Sequence, residues 1–352
     1  MRGAVRRRGR MPPVAGSPWR LTAGAGLALT AVLFLLPLLT VRGEGGGAAG
    51  ETENAPLTAT APEGQTTRAA RDRGHIVKLL QPDGTVEELT MADYLFGVVA
   101  AEMPAAFEEE ALKAQACAAR TYTVVRQASA HAAHPQADVC TDSGCCQAYV
   151  ERQAAETRWG ISAGTYSAKI SQAVADTDGL GILYQGAPIQ AVFFSSAPGQ
   201  TADAVAVWGS QVDYLKSVSS PERDEVPNYR SQVVLTAEEV RSRVLAAYPG
   251  ADLSGDPSGW FGQADRDAGG TVRSIPLGGV TLTGGQVRSL FALRSAAFTV
   301  AWDGSKFTFS VTGYGHGVGM SQYGANAMAK EGKSFREILT WYYTGTAVEE
   351  LW

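Results

Sequence analysis

The chain has 352 residues, 45% of them apolar, enough for one large domain or two ordinary ones with a proper core. Its formal charge of −5 hides an asymmetry. Residues 1–42 hold seven arginines and no acid, leaving 23 basic against 35 acidic side chains beyond them, a charge of −12. So acidic a body is a poor match for phosphate backbones, and nucleic acid is set aside as a partner.

The N-terminus is decisive for location. Arg2, Arg6, Arg7, Arg8, Arg10 and Arg20 crowd residues 1–20, and residues 21–41 then run without a charge up to Arg42. At 1.5 Å per residue that run spans roughly 30 Å, the thickness of a bilayer's hydrocarbon core. The reading is a basic cytoplasmic tail (1–20) and a transmembrane helix (21–41). It makes a single pass through the cell membrane and leaves the large domain extracytoplasmic, because arginine clusters stay inside. A cleaved signal peptide is the alternative. Ala48 and Ala49 would suit a cleavage site, but they lie behind Arg42 and Glu44, past the end of the apolar run. Residues 43–74 are small and polar, cannot offset the entropy of ordering, and read as a flexible linker reaching about 30 Å.

From residue 75 to 352 the pattern predicts a single exported domain of mixed helices and antiparallel hairpins. His75–Leu80 and Thr85–Leu89 flank Pro82-Asp83-Gly84 as a hairpin. Met91–Ala101 predicts a short helix ended by Pro104, since the residue before proline avoids helical geometry. Glu108 to about Ala132 gives the strongest helix, its three leading glutamates favouring the N-terminal dipole. Leu112, Ala116, Ala119 and Thr123 form one stripe there, half of it alanine, so a neighbour must pack close. Gly181–Tyr184 and Ile189–Ser195 suggest a second hairpin around Gln185–Pro188. Thr236-Ala237-Glu238-Glu239 is a capping box opening a helix that stops at Pro249. Phe298–Trp302 and Lys306–Thr312 flank Asp303-Gly304 as a third hairpin. Helices over Ser321–Lys330 and Ser334–Tyr343 close the chain. Helices and strands do not alternate regularly, which favours α+β.

Glu102, in Ala101-Glu102-Met103-Pro104, ends an apolar segment just before a forced break. Lining a cleft with apolar neighbours, its pKa would rise and it could donate a proton near neutrality. On spacing alone, a solvated glutamate at a helix end fits as well.

The run GVVAAEMPAAFEEEALKAQACAARTYTV (97–124) closely resembles the signature of the stage II sporulation protein D family, and so does GYGHGVGMSQYGANAMA (313–329). Pieces at 173–209, 212–218 and 291–300 match in order, so the likeness covers about His75 to Trp352. The resemblance implies a membrane-anchored lytic transglycosylase cleaving peptidoglycan glycan strands that lack stem peptides, during sporulation engulfment. It carries the catalytic acid/base role onto Glu102. It implies the stage II sporulation proteins P, an amidase, and M as partners. The same domain type resembles enhancers of cell-wall amidases, so a non-enzymatic glycan-binding role is the alternative.

Lys113, Cys117 and Arg120 share one helical face. The two cations belong to the stretch that resembles the family, and are expected to face the cleft and orient substrate or Glu102; a solvated cationic face is the alternative. Family members typically have an apolar residue at the position of Cys117, which is therefore expected in the core. His134, Cys140, Cys145 and Cys146 offer the ligand set of a structural tetrahedral zinc site, with His131 as a spare. A Cys140–Cys146 disulfide competes, since an exported domain permits one. Some family members carry histidine beside the equivalent of Cys146, as a substitution within a ligand set would look. Gly315-His316-Gly317-Val318-Gly319 fails the dinucleotide pattern because Met320 stands at its last position. It reads instead as a loop letting backbone approach a sugar. His316, Ser321, Gln322 and Tyr323 are expected to contact substrate, with Ser195 and Ser196 as a polar wall ahead of Asp203 and Trp208. No nucleophile elbow accompanies these serines.

Overall fold

Ahead of His75 stands a helical turn, α1 (Ala70–Arg73), whose Asp72 is fully buried. The computed structural model describes residues 69–129 and 132–352, which fall in the unit Pro62–Trp352. The expected tail, membrane span, most of the linker and His131 lie outside them. Among the described residues no helix is long and apolar enough to cross a membrane.

The first hairpin forms as expected from β1 (Ile76–Leu80) and β2 (Val86–Thr90), its turn held by the Asp83 carboxylate accepting from Thr85. Thr90 caps α2 (Met91–Glu102), which stops at Met103 before Pro104. α3 (Glu109–Gln127) follows, and its expected stripe of Leu112, Ala116, Ala119 and Thr123 is wholly buried. Then come β3 (Val139–Cys140), α4 (Arg152–Trp159), α5 (Ala163–Asp176), β4 (Leu180–Tyr184), β5 (Ala187–Pro188), β6 (Phe193–Phe194) and α6 (Ala204–Trp208). β7 (Arg230–Thr236), α7 (Ala237–Ala247), β8 (Asp265–Arg266), β9 (Val272–Leu277), β10 (Val280–Thr283), α8 (Gly284–Phe291), β11 (Phe298–Trp302) and β12 (Lys306–Thr312) succeed them. β13 (Met320–Ser321), α9 (Gln322–Lys330), α10 (Phe335–Tyr342) and β14 (Ala347–Glu350) complete the order. Helices and small, mostly antiparallel sheets make this an α+β arrangement.

Two apolar cores organise the molecule. In the first, α3 packs against α2, α5, α9 and α10, and its alanines allow the close approach. A helix buried on so many sides loses the one-sided pattern of a surface helix. The second core gathers Val240, Val244, Trp260, Phe291, Phe298, Phe307 and Phe309 between α7, α8 and the β11-β12-β7 sheet. Burying each phenylalanine contributes roughly 1.5–3 kcal/mol. The expected capping box at Thr236 and Glu239 opens α7.

The second hairpin differs from expectation. β4 turns at Gln185 and Gly186, both at positive φ (52° and 79°), as in a two-residue hairpin turn; its return strand is only Ala187–Pro188, and its other edge pairs with β14. The chain then leaves that sheet. β6 pairs in parallel with β13, more than a hundred residues on, and Ser196 bridges Tyr314. This long-range pairing brings the end of the chain to the site.

Candidate active site and thiol cluster

Glu102 is the last residue of α2, and two distant segments hold its carboxylate. The first is 147–150, which crosses α2 at Gly97. A Cβ at Gly97 would lie 2.2 Å from the Tyr149 ring and 2.7 Å from the Val150 carbonyl, so only glycine allows the crossing. Gln147 ties the segment down by donating to Tyr94 Oη (3.1 Å) and Thr123 Oγ1 (3.2 Å). The Ala148 N–H then donates to Glu102 Oε1 at 2.7 Å. The second is the start of α9, where the Gln322 side-chain amide donates to Oε2 at 3.1 Å. Burial raises the pKa of Glu102 above the ordinary glutamate value; these two hydrogen bonds oppose the shift without cancelling it.

The turn carrying Gln322 rests on a buried carboxylate. Ser321 caps α9 and donates to Glu222, which is fully buried and also accepts from Ala197 N–H (2.6 Å) and the Ser220 hydroxyl (2.5 Å). With those donors Glu222 has no access to a sugar. Ser195 contributes its carbonyl to the Tyr323 N–H (3.0 Å), and Ser196 is buried beneath the surface. Ser196 therefore does not present its hydroxyl as part of a polar wall, whereas Ser195 is half-buried. Ser321 is likewise buried, so its expected contact with substrate gives way to a positioning role. The Tyr323 ring meets Phe107 edge-on, centroids 5.0 Å apart.

Two glycines of the 313–319 loop are required by close packing on protein backbone, Gly313 against the Ser196 carbonyl and Gly319 against the Val192 carbonyl. A Cβ at Gly319 would sit 2.1 Å from the Val192 carbonyl. His316 Nδ1 accepts from Val318 N–H (3.2 Å), which makes Nε2 the protonated nitrogen facing the Phe193 carbonyl (3.0 Å). Burial depresses its pKa to about 4, so the ring is neutral at working pH. Beside it stand two exposed aromatic rings, Trp208 (45% exposed, 5.9 Å from the His316 ring) and Tyr314 (42%).

All four residues of the thiol cluster converge. The ligand atoms of His134, Cys140, Cys145 and Cys146 lie within 4.8 Å of one another, with His134 Nε2 3.3 Å from Cys146 Sγ. Ligands around a tetrahedral zinc stand about 3.5–3.8 Å apart, so the set fits. His134 Nδ1 lies 3.2 Å from the Ala137 carbonyl, the outer bond that fixes Nε2 as the ligating nitrogen. The four cysteines are all free thiols, and Cys140 and Cys146 form no disulfide.

A family model described as Stage II sporulation protein, SpoIID, matches residues 82–184, the stretch that holds both Glu102 and the thiol cluster. Over 328 residues the chain is 37% identical to stage II sporulation protein D of Bacillus subtilis (strain 168), covering 92% of this chain and 94% of that one. The chain belongs to the stage II sporulation protein D family. It is 38% identical to the Bacillus amyloliquefaciens protein of the same name over 267 residues, 76% of each chain. It is also 27% identical to a Bacillus subtilis amidase enhancer over 304 residues, 72% of this chain and 40% of that one.

For this family member the two helix cations require correction. Arg120 does not face the cleft. It is fully buried, with Nε and Nη2 on the two oxygens of Asp72 (2.9 and 2.6 Å) and Nη1 on the Leu180 carbonyl (2.9 Å). Lys113 is engaged by Glu110 (2.8 Å) and Asp176 (3.1 Å), joining α3 to α5. Both charges are consumed inside the scaffold. Cys117 is core as expected, burial pushing its thiol up to about 12. Sequence reasoning missed Ala148, a backbone donor without any residue signature, and Glu222, whose burial nothing in Pro221-Glu222-Arg223 announces. Tyr314 stood within a recognised motif and went unassigned.

Proposed function

We propose that this stage II sporulation protein D family member is a lytic transglycosylase. It would cleave MurNAc–GlcNAc bonds in peptidoglycan glycan strands lacking stem peptides, during sporulation engulfment. The observation that carries the reading is Glu102: a desolvated carboxyl with raised proton affinity, held by Ala148 and Gln322. One such group suffices. As an acid it gives its proton to the glycosidic oxygen as the C1–O bond breaks. As a base it then removes the proton of the muramic 6-hydroxyl, whose oxygen bonds to C1. The strand becomes two fragments, one ending in a 1,6-anhydro sugar, no water is consumed and Glu102 regains its proton. Hydrolysis of the usual kind needs a second carboxylate, and Glu222, bonded to the same turn, is buried and occupied.

The same reading includes the single-pass anchor at 21–41, with the large domain extracytoplasmic at the cell membrane, and stage II sporulation proteins P and M as partners. It includes a structural zinc held by His134, Cys140, Cys145 and Cys146, which would lock the loop leading to Ala148. Mass spectrometry of products from purified strands tests the proposal. Anhydro-muramic ends are expected, and Glu102→Gln should lower the rate by about 10²–10⁴-fold. Reducing ends, or an active Gln variant, would remove it.

The likeness to the amidase enhancer favours a second reading, in which the cleft binds glycan and stimulates a partner amidase without cutting. Absence of cleavage by either protein, with amidase stimulation in both, would select it.

A further inference from the structure

Two half-buried cations near the glycine-rich loop differ from Arg120 and Lys113. Arg294 lies with its guanidinium carbon 3.9 Å from the centroid of the Tyr314 ring, and its Nε is buried without a hydrogen-bond partner. Its own carbonyl accepts from Gly315 N–H (3.0 Å), which pins it to the glycine-rich loop. Arg288 projects from α8 and is half-buried. Among the described residues neither side chain has an ion-pair partner within 4.0 Å, whereas Arg120 and Lys113 are fully paired. A desolvated cation left unpaired is costly.

Their placement points at the cleft. Arg294 is fixed to the loop through Tyr314 and Gly315, Tyr314 exchanges backbone hydrogen bonds with Ser196, and Ser195 accepts from Tyr323 next to Gln322, so this guanidinium belongs to the segment that presents Gln322 to Glu102. Arg288 stands six residues before Arg294, its carbonyl accepting from Leu293 N–H, and its charge is felt at His316 of the same loop. Tyr314, on which Arg294 stacks, and Trp208, beside His316, are both exposed. A guanidinium stacked on an aromatic ring keeps its N–H edge directed outward, the geometry that grips a carboxylate with two bonds.

We propose that Arg288 and Arg294 form a carboxylate-reading clamp that engages the free lactyl carboxylate of a muramic acid residue bound beside Glu102. The inference rests on the glycan reading of the cleft and deepens it. In a strand that carries stem peptides, this carboxyl is tied up in a neutral amide. Removing the stem exposes an anion at that position. Two unpaired guanidiniums therefore select denuded strands by charge, independently of whether a stem would fit.

The test compares strands bearing free lactyl carboxylates with the same strands after conversion of those groups to primary amides. Binding is measured with the full chain carrying Glu102→Gln, so that cleavage does not intervene. This protein is expected to bind the free-acid strand roughly tenfold to a hundredfold more tightly. Adding Arg288→Gln or Arg294→Gln should bring that ratio toward one, while Arg294→Lys should retain part of it. Equal affinity for both strands in the parent overturns the clamp and requires no further variant to fold. An undiminished ratio in natively melting arginine variants overturns it as well. Preference for the free acid, together with no cleavage by the protein with Glu102 intact, removes the transglycosylase reading and leaves the clamp standing.

Discussion

The Gln322 side-chain amide donates to Glu102 Oε2 at 3.1 Å across 220 residues of sequence. This bond orients the carboxyl and favours its charged form, so its loss has a signed effect. In Gln322→Leu the pKa of Glu102 should rise further, and the alkaline limb of the pH–rate profile should move to higher pH. The rate should fall roughly tenfold to a hundredfold, the worth of one hydrogen bond to a charged group. A profile that moves to lower pH, or does not move, would show that Gln322 does not act on Glu102.

Glu102 also couples stability to pH. Because its folded pKa is raised, the folded protein binds the proton more tightly than the unfolded chain. Its contribution is fully present below the ordinary glutamate value of 4.5 and is lost as pH rises through the raised folded value. Glu102→Gln, neutral throughout, should therefore melt above the parent at pH 7 and show less advantage near pH 4. Thermal melts at the two pH values measure the difference; a larger advantage at pH 4 contradicts the burial argument.

His316 gives the opposite slope. Its folded value of about 4 lies below the ordinary 6.5, so stability is present above pH 6.5 and declines as pH falls toward 4. His316→Gln should flatten that decline in denaturant titrations between pH 7 and 4.5. A variant as acid-sensitive as the parent would place the titration elsewhere.

The thiol cluster should carry about one zinc per chain by elemental analysis, and Cys140→Ser or Cys146→Ser should reduce that content. Chelation should lower the melting temperature. Metal-free protein two hydrogens light would instead support a disulfide.

Arg120 should behave as scaffold. Arg120→Met leaves Asp72 buried and unpaired, and unfolding free energy should drop by about 3–5 kcal/mol. Protein that remains folded should keep its rate constant per folded molecule. A stable variant with abolished turnover would restore Arg120 to the substrate.

Much of this was legible because the signals are local. Thr236 and Glu239 announce their capping box in four residues, and Pro104 ends α2 by sterics alone. The Asp303-Gly304 hairpin and the His134–Cys146 cluster lie in short spans for the same reason. Arg120 was misread because a cation at helical spacing looks the same whether water or Asp72 receives it. Asp72 itself stands in a segment whose composition suggested a tether. The pairing of β6 with β13 involves two residues on each side, too short for any alternation pattern. α4 and α5 went unrecognised altogether, and the second core became visible only once its aromatic residues, scattered over some 50 positions, were brought together.

The two anchors of Glu102 have a consequence for timing. Ala148 lies 46 residues downstream of Glu102, and Gln322 lies 220 residues downstream. A chain extending only through α8 would contain Glu102 and its first donor, yet leave Oε2 without its second. The full set of bonds to the Glu102 carboxylate is thus withheld until α9 has docked. Until then the carboxyl is held at one oxygen only, so the site is completed by a contact that closes late in folding rather than by its local helix.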